Sequence, residues 1–247
     1  PLHYRNKSQY PVGADGAIGF YRARSHQVVP VKRCLIQPEA ADKTAAAVGE
    51  WMRRYKVPAY DEATGKGLVR HVYVRVNRKG ESLCCVVING RQAPREPELA
   101  AYVCAAVPHT AGVLVNSNTK RGNVILGERY RTLWGRDYLM DTLCGLEFKL
   151  SVPSFYQVNR DQAEALYGKA LDYAGLTGRE TVLDLYCGIG TITLCLAKRA
   201  GRVIGAEIVP AAIRDAKENA ARNHIENAEF FCGDAAETAA RLETEGL

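Results

Sequence analysis

The chain has 247 residues, of which 47% are hydrophobic and 24% charged, so it can form one large or two ordinary domains and is not of disordered composition. It has no run of about 18 consecutive apolar residues, and its first residues, PLHYRNKSQY, lack the apolar segment of a signal peptide. These features predict a soluble cytoplasmic protein without a membrane-spanning helix. The eight cysteines include no C-x-x-C pair, which favours reduced cysteines used as small apolar residues.

Charge is distributed unevenly along the chain. Residues 1–150 carry 23 basic and 13 acidic side chains, a net charge of +10, whereas residues 151–247 carry 10 and 14, a net charge of −4. This asymmetry indicates a polyanion-binding domain over residues 1–150, next to a separate cofactor domain over residues 151–247. Because solvated basic faces are common, charge alone does not establish nucleic-acid binding.

The first half of the sequence is rich in predicted strands. Val and Tyr alternate with Arg, His and Asn in VRHVYVRVN (69–77), which is the period expected of a half-buried strand. The segment SLCCVVING (82–90) follows after a Lys-Gly turn signal, so the two segments predict a β-hairpin. A further strand is predicted over 112–118, with helices over 42–55 and 97–107.

After residue 151 the pattern changes to alternating helices and strands. The segment DQAEALYGKALDYAGL predicts a helix that ends at Gly175. The strands that follow are TVLDLY, RVIGAEI and AEFFCG, separated by the predicted helices TITLCLAKRA and PAAIRDAKENAARN. This alternation indicates an α/β fold and the first part of a doubly wound parallel sheet.

A glycine loop follows the first of these strands, in VLDLYCGIGT (182–191). Glycines at the carboxyl end of a parallel strand let a ligand approach the backbone closely, and the next helix presents unpaired N–H groups. Only Gly188 and Gly190 are present. A dinucleotide-binding fingerprint would place its third glycine at Thr193, so a nicotinamide dinucleotide is disfavoured without being excluded.

Acidic residues recur at the ends of the three predicted strands. Asp184, Glu207 and Asp234 each have an ordinary explanation when taken singly: a helix cap, a surface strand end and a turn former. Their joint spacing favours a nucleoside without phosphates. We expect S-adenosyl-L-methionine, with Asp184 near its ammonium end, Glu207 on the ribose and Asp234 at the adenine amino group. A nicotinamide dinucleotide and a sheet without cofactor remain alternatives.

Several segments together resemble the RNA (uracil-5-)-methyltransferase family, and most closely its 23S rRNA 5-methyluridine methyltransferases. The motif F-[FY]-Q-V-N lies some 30 residues before the glycine loop, and the resemblance runs nearly the whole length. The segments that carry it are HYRNKSQYPVG (3–13), GFYRARSHQVVPVKRCLI (19–36), SFYQVNRDQAEALY (154–167), VLDLYCGIGTITLCLAK (182–198) and VIGAEIVPAAIRDAKENAARN (203–223).

The resemblance implies a fold and a cofactor site. The fold is an incomplete Rossmann-like class I methyltransferase sheet, preceded by a central α+β RNA-binding domain. Many relatives carry Asn where this chain has Thr191, which keeps one hydrogen bond but not the amide pair. The expected contacts with S-adenosyl-L-methionine are Gln157, Tyr186, Gly188, Gly190, Thr191, Glu207 and Asp234.

The resemblance also assigns a partner, RNA, with 23S rRNA as the expected substrate of a monomeric enzyme. Basic residues would meet phosphates and tyrosines would stack on unpaired bases, although each of these residues also suits an ordinary edge strand. Phe155 is expected to pack on a flipped uracil, with a core phenylalanine as the alternative. The candidate RNA-binding residues are Tyr4, Arg5, Lys7, Tyr21, Arg22, Arg24 and Phe155.

Cys34 matches the position of the last cysteine ligand in the members of the family that bind a [4Fe-4S] cluster. No cysteine precedes it in this sequence, so we assign no metal to the chain and expect a cluster only in a full-length protein.

Methylation of uracil C5 needs a cysteine nucleophile and a base, which in this family follow a D-P-P-R motif. None of these motifs occurs in the sequence, so we expect a fragment that lacks the N-terminal region and the catalytic C-terminal part, with no catalytic residue of its own. Cys187 is not expected to substitute, and Cys195 and Cys232 are expected to be buried. The alternatives are a tRNA uracil-5-methyltransferase, a noncatalytic RNA-binding module and a nicotinamide enzyme.

Overall fold

The computed structural model describes residues 2–244, which form two units with the boundary between Leu139 and Met140. The sequence places the domain boundary after residue 150. The difference arises because Leu143, Leu146 and Phe148 belong to the core of the second unit, so the hairpin that carries them does too. None of the helices within residues 2–244 combines the length and apolarity needed to cross a bilayer.

The first unit is built on a five-stranded mixed sheet covered by helices on one face. The sheet has the order β1-β4-β5-β6-β7, with β5 and β6 parallel and the other pairs antiparallel, and β2 and β3 form a separate hairpin. The elements are β1 (Lys7–Pro11), β2 (Gly19–Tyr21), β3 (Val28–Pro30), α1 (Glu39–Arg54), β4 (Val69–Val76), β5 (Ser82–Ile88), α2 (Glu96–Ala106), β6 (Thr110–Ser117) and β7 (Arg129–Gly135).

The core of the first unit lies between this sheet and the two helices. Trp51 of α1 and Leu99 of α2 are fully buried against Val72, Val86 and Val113, which share one face of the sheet. The predicted β4–β5 hairpin, the strand near 112–118 and both helices are present. The interpretation of β4 as half-buried is wrong, because all eight of its residues are buried.

The second unit contains a hairpin and a three-stranded parallel sheet in the order β10-β11-β12. Helices and strands alternate after the hairpin, as predicted, and α3 ends at Gly175 in the left-handed conformation, as its glycine predicts. The elements are β8 (Tyr138–Leu143), β9 (Leu146–Ser151), α3 (Arg160–Ala174), β10 (Thr181–Asp184), α4 (Thr191–Ala197), β11 (Arg202–Glu207), α5 (Pro210–Arg222), β12 (Ala228–Cys232) and α6 (Ala235–Thr244).

Candidate functional site

Three carboxylates lie at one edge of the parallel sheet. Asp184 ends β10 and pairs in register with Gly205, while Glu207 ends β11 opposite Cys232 of β12. Asp234 follows two residues after the end of β12. Because the carboxyl ends of parallel strands meet at the same edge, the sheet brings together the acidic residues that the sequence predicts there.

The glycine loop turns sharply between β10 and α4. Gly188 and Gly190 both have positive φ, +55° and +85°, a conformation that other residues adopt only with strain. A Cβ at Gly190 would lie 3.3 Å from the Phe230 ring, so that side of the loop is packed. A Cβ at Gly188 would meet no atom within 4 Å, and the backbone there is open to a ligand.

Asp184 is held by its own loop and helix. Its Oδ2 accepts a hydrogen bond from Thr193 Oγ1 at 2.6 Å, and its Oδ1 accepts one from the Tyr186 N–H at 3.4 Å. Burial raises the pKa of Asp184, and the nearby Glu207 carboxylate adds to the rise. Thr193 is fully buried, so the threonine at the third fingerprint position fixes a carboxylate instead of admitting a pyrophosphate.

Glu207 and Asp234 each use one oxygen to order the adjoining backbone. Glu207 Oε1 accepts from the Val209 N–H at 2.9 Å, and Asp234 Oδ1 accepts from the first turn of α6 at 2.8 Å, as a helix cap does. Within residues 2–244, Oε2 of Glu207 and Oδ2 of Asp234 accept no hydrogen bond. Both oxygens are available to a ligand.

The other predicted cofactor residues lie on three segments of the second unit. Tyr186 projects from the glycine loop with 82% of its surface exposed. Thr191 begins α4, and its hydroxyl lies 3.1 Å from the Tyr167 hydroxyl of α3. Gln157 is half-buried in the segment between β9 and α3. The structure therefore joins six of the seven residues at the sheet edge and glycine loop, with Gln157 on the preceding segment.

Hydrogen bonds from polar side chains of α5 connect the segments that form this site. Asn219 is fully buried, accepts a hydrogen bond from the Lys149 N–H at 2.8 Å and donates one to the Ile189 carbonyl at 3.2 Å. It thus links β9 to the glycine loop. Asp215, one turn earlier, accepts from Ser154 Oγ at 3.3 Å in the segment that carries Phe155 and Gln157.

The sequence did not identify these supporting residues. Asp215 and Asn219 belong to no motif, and the one sequence signal they give is their spacing of four residues, which places them on one face of α5. The supporting residues that the sequence did not identify are Tyr167, Asp215 and Asn219, together with Thr193, which it considered only as the absent third glycine.

The hydrogen-bond acceptors at this edge fit S-adenosyl-L-methionine better than a dinucleotide. Three carboxylates accept hydrogen bonds from hydroxyl and amino groups and attract cations, whereas they repel a pyrophosphate. The open backbone at Gly188 and the exposed Tyr186 ring add a surface on which a nucleoside can lie.

The candidate RNA-binding residues are divided between the two units. Tyr4, Arg22 and Arg24 are exposed in the first unit, and Phe155 is 67% exposed in the second, which does not fit the alternative of a core phenylalanine. Lys7 is half-buried, and its pKa is lowered by burial and by the like charges of Arg75 and Arg5. Such a cluster of positive charge favours an anionic partner.

The cysteine next to the glycine loop does not suit the role of a nucleophile. Cys187 is buried, and burial raises the pKa of its thiol to about 12, so it stays protonated at neutral pH. Cys195 is buried as predicted. The prediction for Cys232 is wrong: it is exposed, because β12 lies at the edge of the sheet and buries only Phe230.

Cys34 is half-buried, and no group of three metal-ligating side chains occurs in the part of the chain that the structure describes.

The chain is similar in sequence to several known proteins. Residues 176–245 match a family described as "Methyltransferase domain". A protein of Halalkalibacterium halodurans named as an uncharacterized RNA methyltransferase is 44% identical over 239 residues, which are 95% of this chain and 52% of the relative. A Clostridium acetobutylicum protein of the same description is 42% identical over 251 residues, 100% of this chain and 55% of that one. The chain therefore spans about half the length of these curated relatives.

A solved structure shares the fold. The Pyrococcus abyssi tRNA (uracil-54, C5)-methyltransferase, in complex with S-adenosyl-L-homocysteine, superposes with a TM-score of 0.78 at 23% identity, covering 94% of this chain and 56% of the other. This chain is thus similar over nearly its whole length to proteins named as RNA methyltransferases, and its second unit has a Rossmann-like methyltransferase fold.

Proposed function

We propose that this chain is part of an S-adenosyl-L-methionine-dependent enzyme that methylates uracil C5 in RNA, with 23S rRNA as the substrate. The observation that carries the proposal is the edge formed by Asp184, Glu207 and Asp234 beside the open Gly188 backbone. Two of these carboxylates each keep one oxygen without a hydrogen bond from residues 2–244.

Each residue of the edge has a defined role in holding the cofactor. Glu207 Oε2 would accept hydrogen bonds from ribose hydroxyls, and Asp234 Oδ2 would accept one from an amino group. Asp184, whose orientation Thr193 fixes, would provide a negative charge for an ammonium group. The exposed Tyr186 ring would offer an apolar contact to the ligand. S-adenosyl-L-methionine, when bound, supplies an electrophilic methyl group.

The RNA is held by charge and stacking. Arg5, Lys7, Arg22 and Arg24 of the first unit bind phosphates, and Phe155 of the second unit packs on the target base. Asp215 accepts a hydrogen bond from Ser154, the residue before Phe155. This bond holds the backbone that carries the Phe155 ring. Cys187 does not serve as the nucleophile in this proposal, since burial keeps its thiol protonated at neutral pH.

Transfer of a labelled methyl group tests the proposal. The full-length protein is incubated with radiolabelled S-adenosyl-L-methionine and either 23S rRNA or bulk tRNA, and the product is digested to nucleosides. We expect label in 5-methyluridine from 23S rRNA. Label in tRNA alone would contradict 23S rRNA as the substrate and favour tRNA, which the solved relative is named for. Label in another nucleoside, or in neither RNA, would contradict uracil C5 methylation.

A further inference from the structure

The first unit contains a cavity of about 440 Å³ that none of the predicted cofactor residues lines. Its volume is within the range of small-ligand sites. Four segments form its walls: the chain after β1, the β2–β3 hairpin, the loop before β4, and the start of β4 itself. The lining residues used below are Tyr21, His26, Tyr60, Glu62, Arg70 and His71.

Two buried polar side chains form the inner wall of this cavity. Arg70 and His71 are only 4% and 7% exposed, and both line the cavity. Adjacent strand residues normally point to opposite faces, but the register of β4 against β5 shifts between Val69 and His71. This bulge is the kind of irregularity that redirects side chains, which explains why both neighbours face one cavity.

Both side chains have a buried atom with no partner within residues 2–244. Arg70 Nη1 donates to the carbonyls of Asn118 and Lys120 at 2.7 and 2.8 Å, but its Nε makes no hydrogen bond. His71 Nδ1 also makes none. A buried polar atom left unpaired is destabilising, so these two atoms mark a wall whose polar groups residues 2–244 do not fully satisfy, as is common at ligand sites.

The outer wall is aromatic. The rings of Tyr21 and His26 stack with centroids 4.9 Å apart and planes 24° apart. Glu62 holds both, with Oε1 accepting from the Tyr21 hydroxyl at 3.4 Å and Oε2 lying 2.5 Å from His26 Nδ1. On the inner side the Tyr60 ring covers the Arg70 guanidinium at 4.6 Å. Flat surfaces of this kind accept a planar ligand.

We propose that this cavity binds an unpaired nucleobase of the RNA substrate. A base has a π-face for the Tyr21–His26 stack and a polar edge for the Arg70 guanidinium and the His71 ring of the inner wall. Burial lowers the pKa of His71 to about 4, with Arg70 adding to the shift, so its ring is neutral at pH 7 and offers one donor and one acceptor nitrogen. This inference rests on the proposed function, because it takes RNA as the substrate.

The surrounding charges favour a base over a phosphate inside the cavity. Asp61 and Glu62 line its mouth and repel an anion, while the Arg70 charge is already shared with two carbonyls. The exposed Arg22 and Arg24 lie outside it, in the turn between Tyr21 and His26. They are placed to bind phosphates next to the inserted base.

A binding comparison with and without bases tests this site. Fluorescently labelled oligo(A), oligo(U), oligo(C) and an abasic ribose-phosphate oligomer of equal length are titrated against the chain and against Tyr21→Ala. Stacking is worth about 1–3 kcal/mol per base, so we expect at least one base-bearing oligomer to bind about tenfold more weakly to Tyr21→Ala, with the abasic oligomer unchanged. Tyr173→Ala, at an exposed tyrosine that does not line the cavity, is the matched control.

A second variant addresses the inner wall. His71→Leu keeps a buried side chain but removes the ring nitrogens, and circular dichroism checks that it folds. We expect the same loss of base preference. Equal binding of the abasic and base-bearing oligomers by the unaltered chain, or equal weakening of both by Tyr21→Ala, would overturn the proposal. Titration of each variant with S-adenosyl-L-homocysteine reports separately on the proposed cofactor site, so failure of one site is distinguished from failure of the other.

Discussion

The sheets of the two units differ in how their strands are exposed. Every residue of β4 and β5 in the first unit is buried, whereas β10 in the second alternates exposed and half-buried residues. In the first unit the candidate ligand site therefore lies at a bulge of the sheet and in the loops around it. In the second, it is concentrated at the carboxyl ends of the strands. A rigid sheet thus supports a site either through its irregularities or through its ends.

The largest effect is expected from Asn219, which joins β9 to the glycine loop. Asn219→Ala removes its bonds to the Lys149 N–H and the Ile189 carbonyl in a fully buried place, and should lower the free energy of unfolding of the second unit by about 4 kcal/mol. Hydrogen exchange resolved by mass spectrometry measures this. Asn223→Ala, at a partly exposed neighbour that bonds to Glu147, is the control and should cost about 1 kcal/mol. Similar hydrogen-exchange protection in Asn219→Ala and Asn223→Ala would contradict the role of Asn219 in linking β9 to the glycine loop.

The next effect concerns the buried His71 of the first unit. Its pKa is about 4, against an ordinary value of 6.5, so between these pH values the unfolded chain takes up a proton that the folded chain does not. Stability is therefore lost as the pH falls from 6.5 to about 4, by about 3 kcal/mol in total. Urea unfolding followed by tryptophan fluorescence measures it, since Trp51 and Trp134 are both in the first unit. His71→Gln should lack this part of the pH dependence, and an unchanged profile would show that His71 is not the group responsible.

A smaller effect is expected at the strand ends of the second unit. Thr193→Val removes the hydrogen bond to Asp184 Oδ2, which raises the pKa of Asp184 further above its ordinary value. Affinity for S-adenosyl-L-homocysteine should fall by about 1 kcal/mol, and its loss on acidification should begin at a higher pH. Asp184→Asn should remove that pH dependence. Calorimetric titrations over a series of pH values measure this affinity. If Thr193→Val binds with the same pH dependence as the unaltered chain, Asp184 is not the group that controls binding.

The smallest effect is expected for the basic residues of the first unit. Lys7→Ala removes one phosphate contact, so binding of single-stranded RNA should weaken alike for all sequences, and the slope of log affinity against log salt should fall by about 0.7. The control is Lys43→Ala, an exposed lysine paired with Glu39 on α1. An unchanged slope would remove Lys7 from the RNA surface.

Much of the second unit could be predicted because its signals are local. Gly175 ends α3, the two glycines form the loop, and Asp184 and Glu207 end their strands. The supporting bonds could not be predicted in this way. Asn219 bonds to Lys149, 70 residues away in the sequence, and no local pattern encodes such a partner.

In the first unit the same alternation misled about burial. Arg, His and Asn in VRHVYVRVN suggest a solvent-facing side, yet Arg70 is buried because carbonyls of Asn118 and Lys120 pair with its guanidinium. The bulge at Val69–His71 is likewise invisible to a period of two. Where polar residues find internal partners, alternation predicts the strand but not its exposure.

The most direct test of the account is calorimetric titration of the chain with S-adenosyl-L-homocysteine, with NAD as the comparison ligand. We predict saturable binding of the nucleoside alone, weakened about 100-fold in Glu207→Ala because hydrogen bonds to a carboxylate are lost. Glu229→Ala, at an exposed glutamate of β12 paired with Arg202, should bind as the unaltered chain does. Binding of NAD, or equal affinity of Glu207→Ala and the unaltered chain for S-adenosyl-L-homocysteine, would contradict the assignment of the strand-end carboxylates.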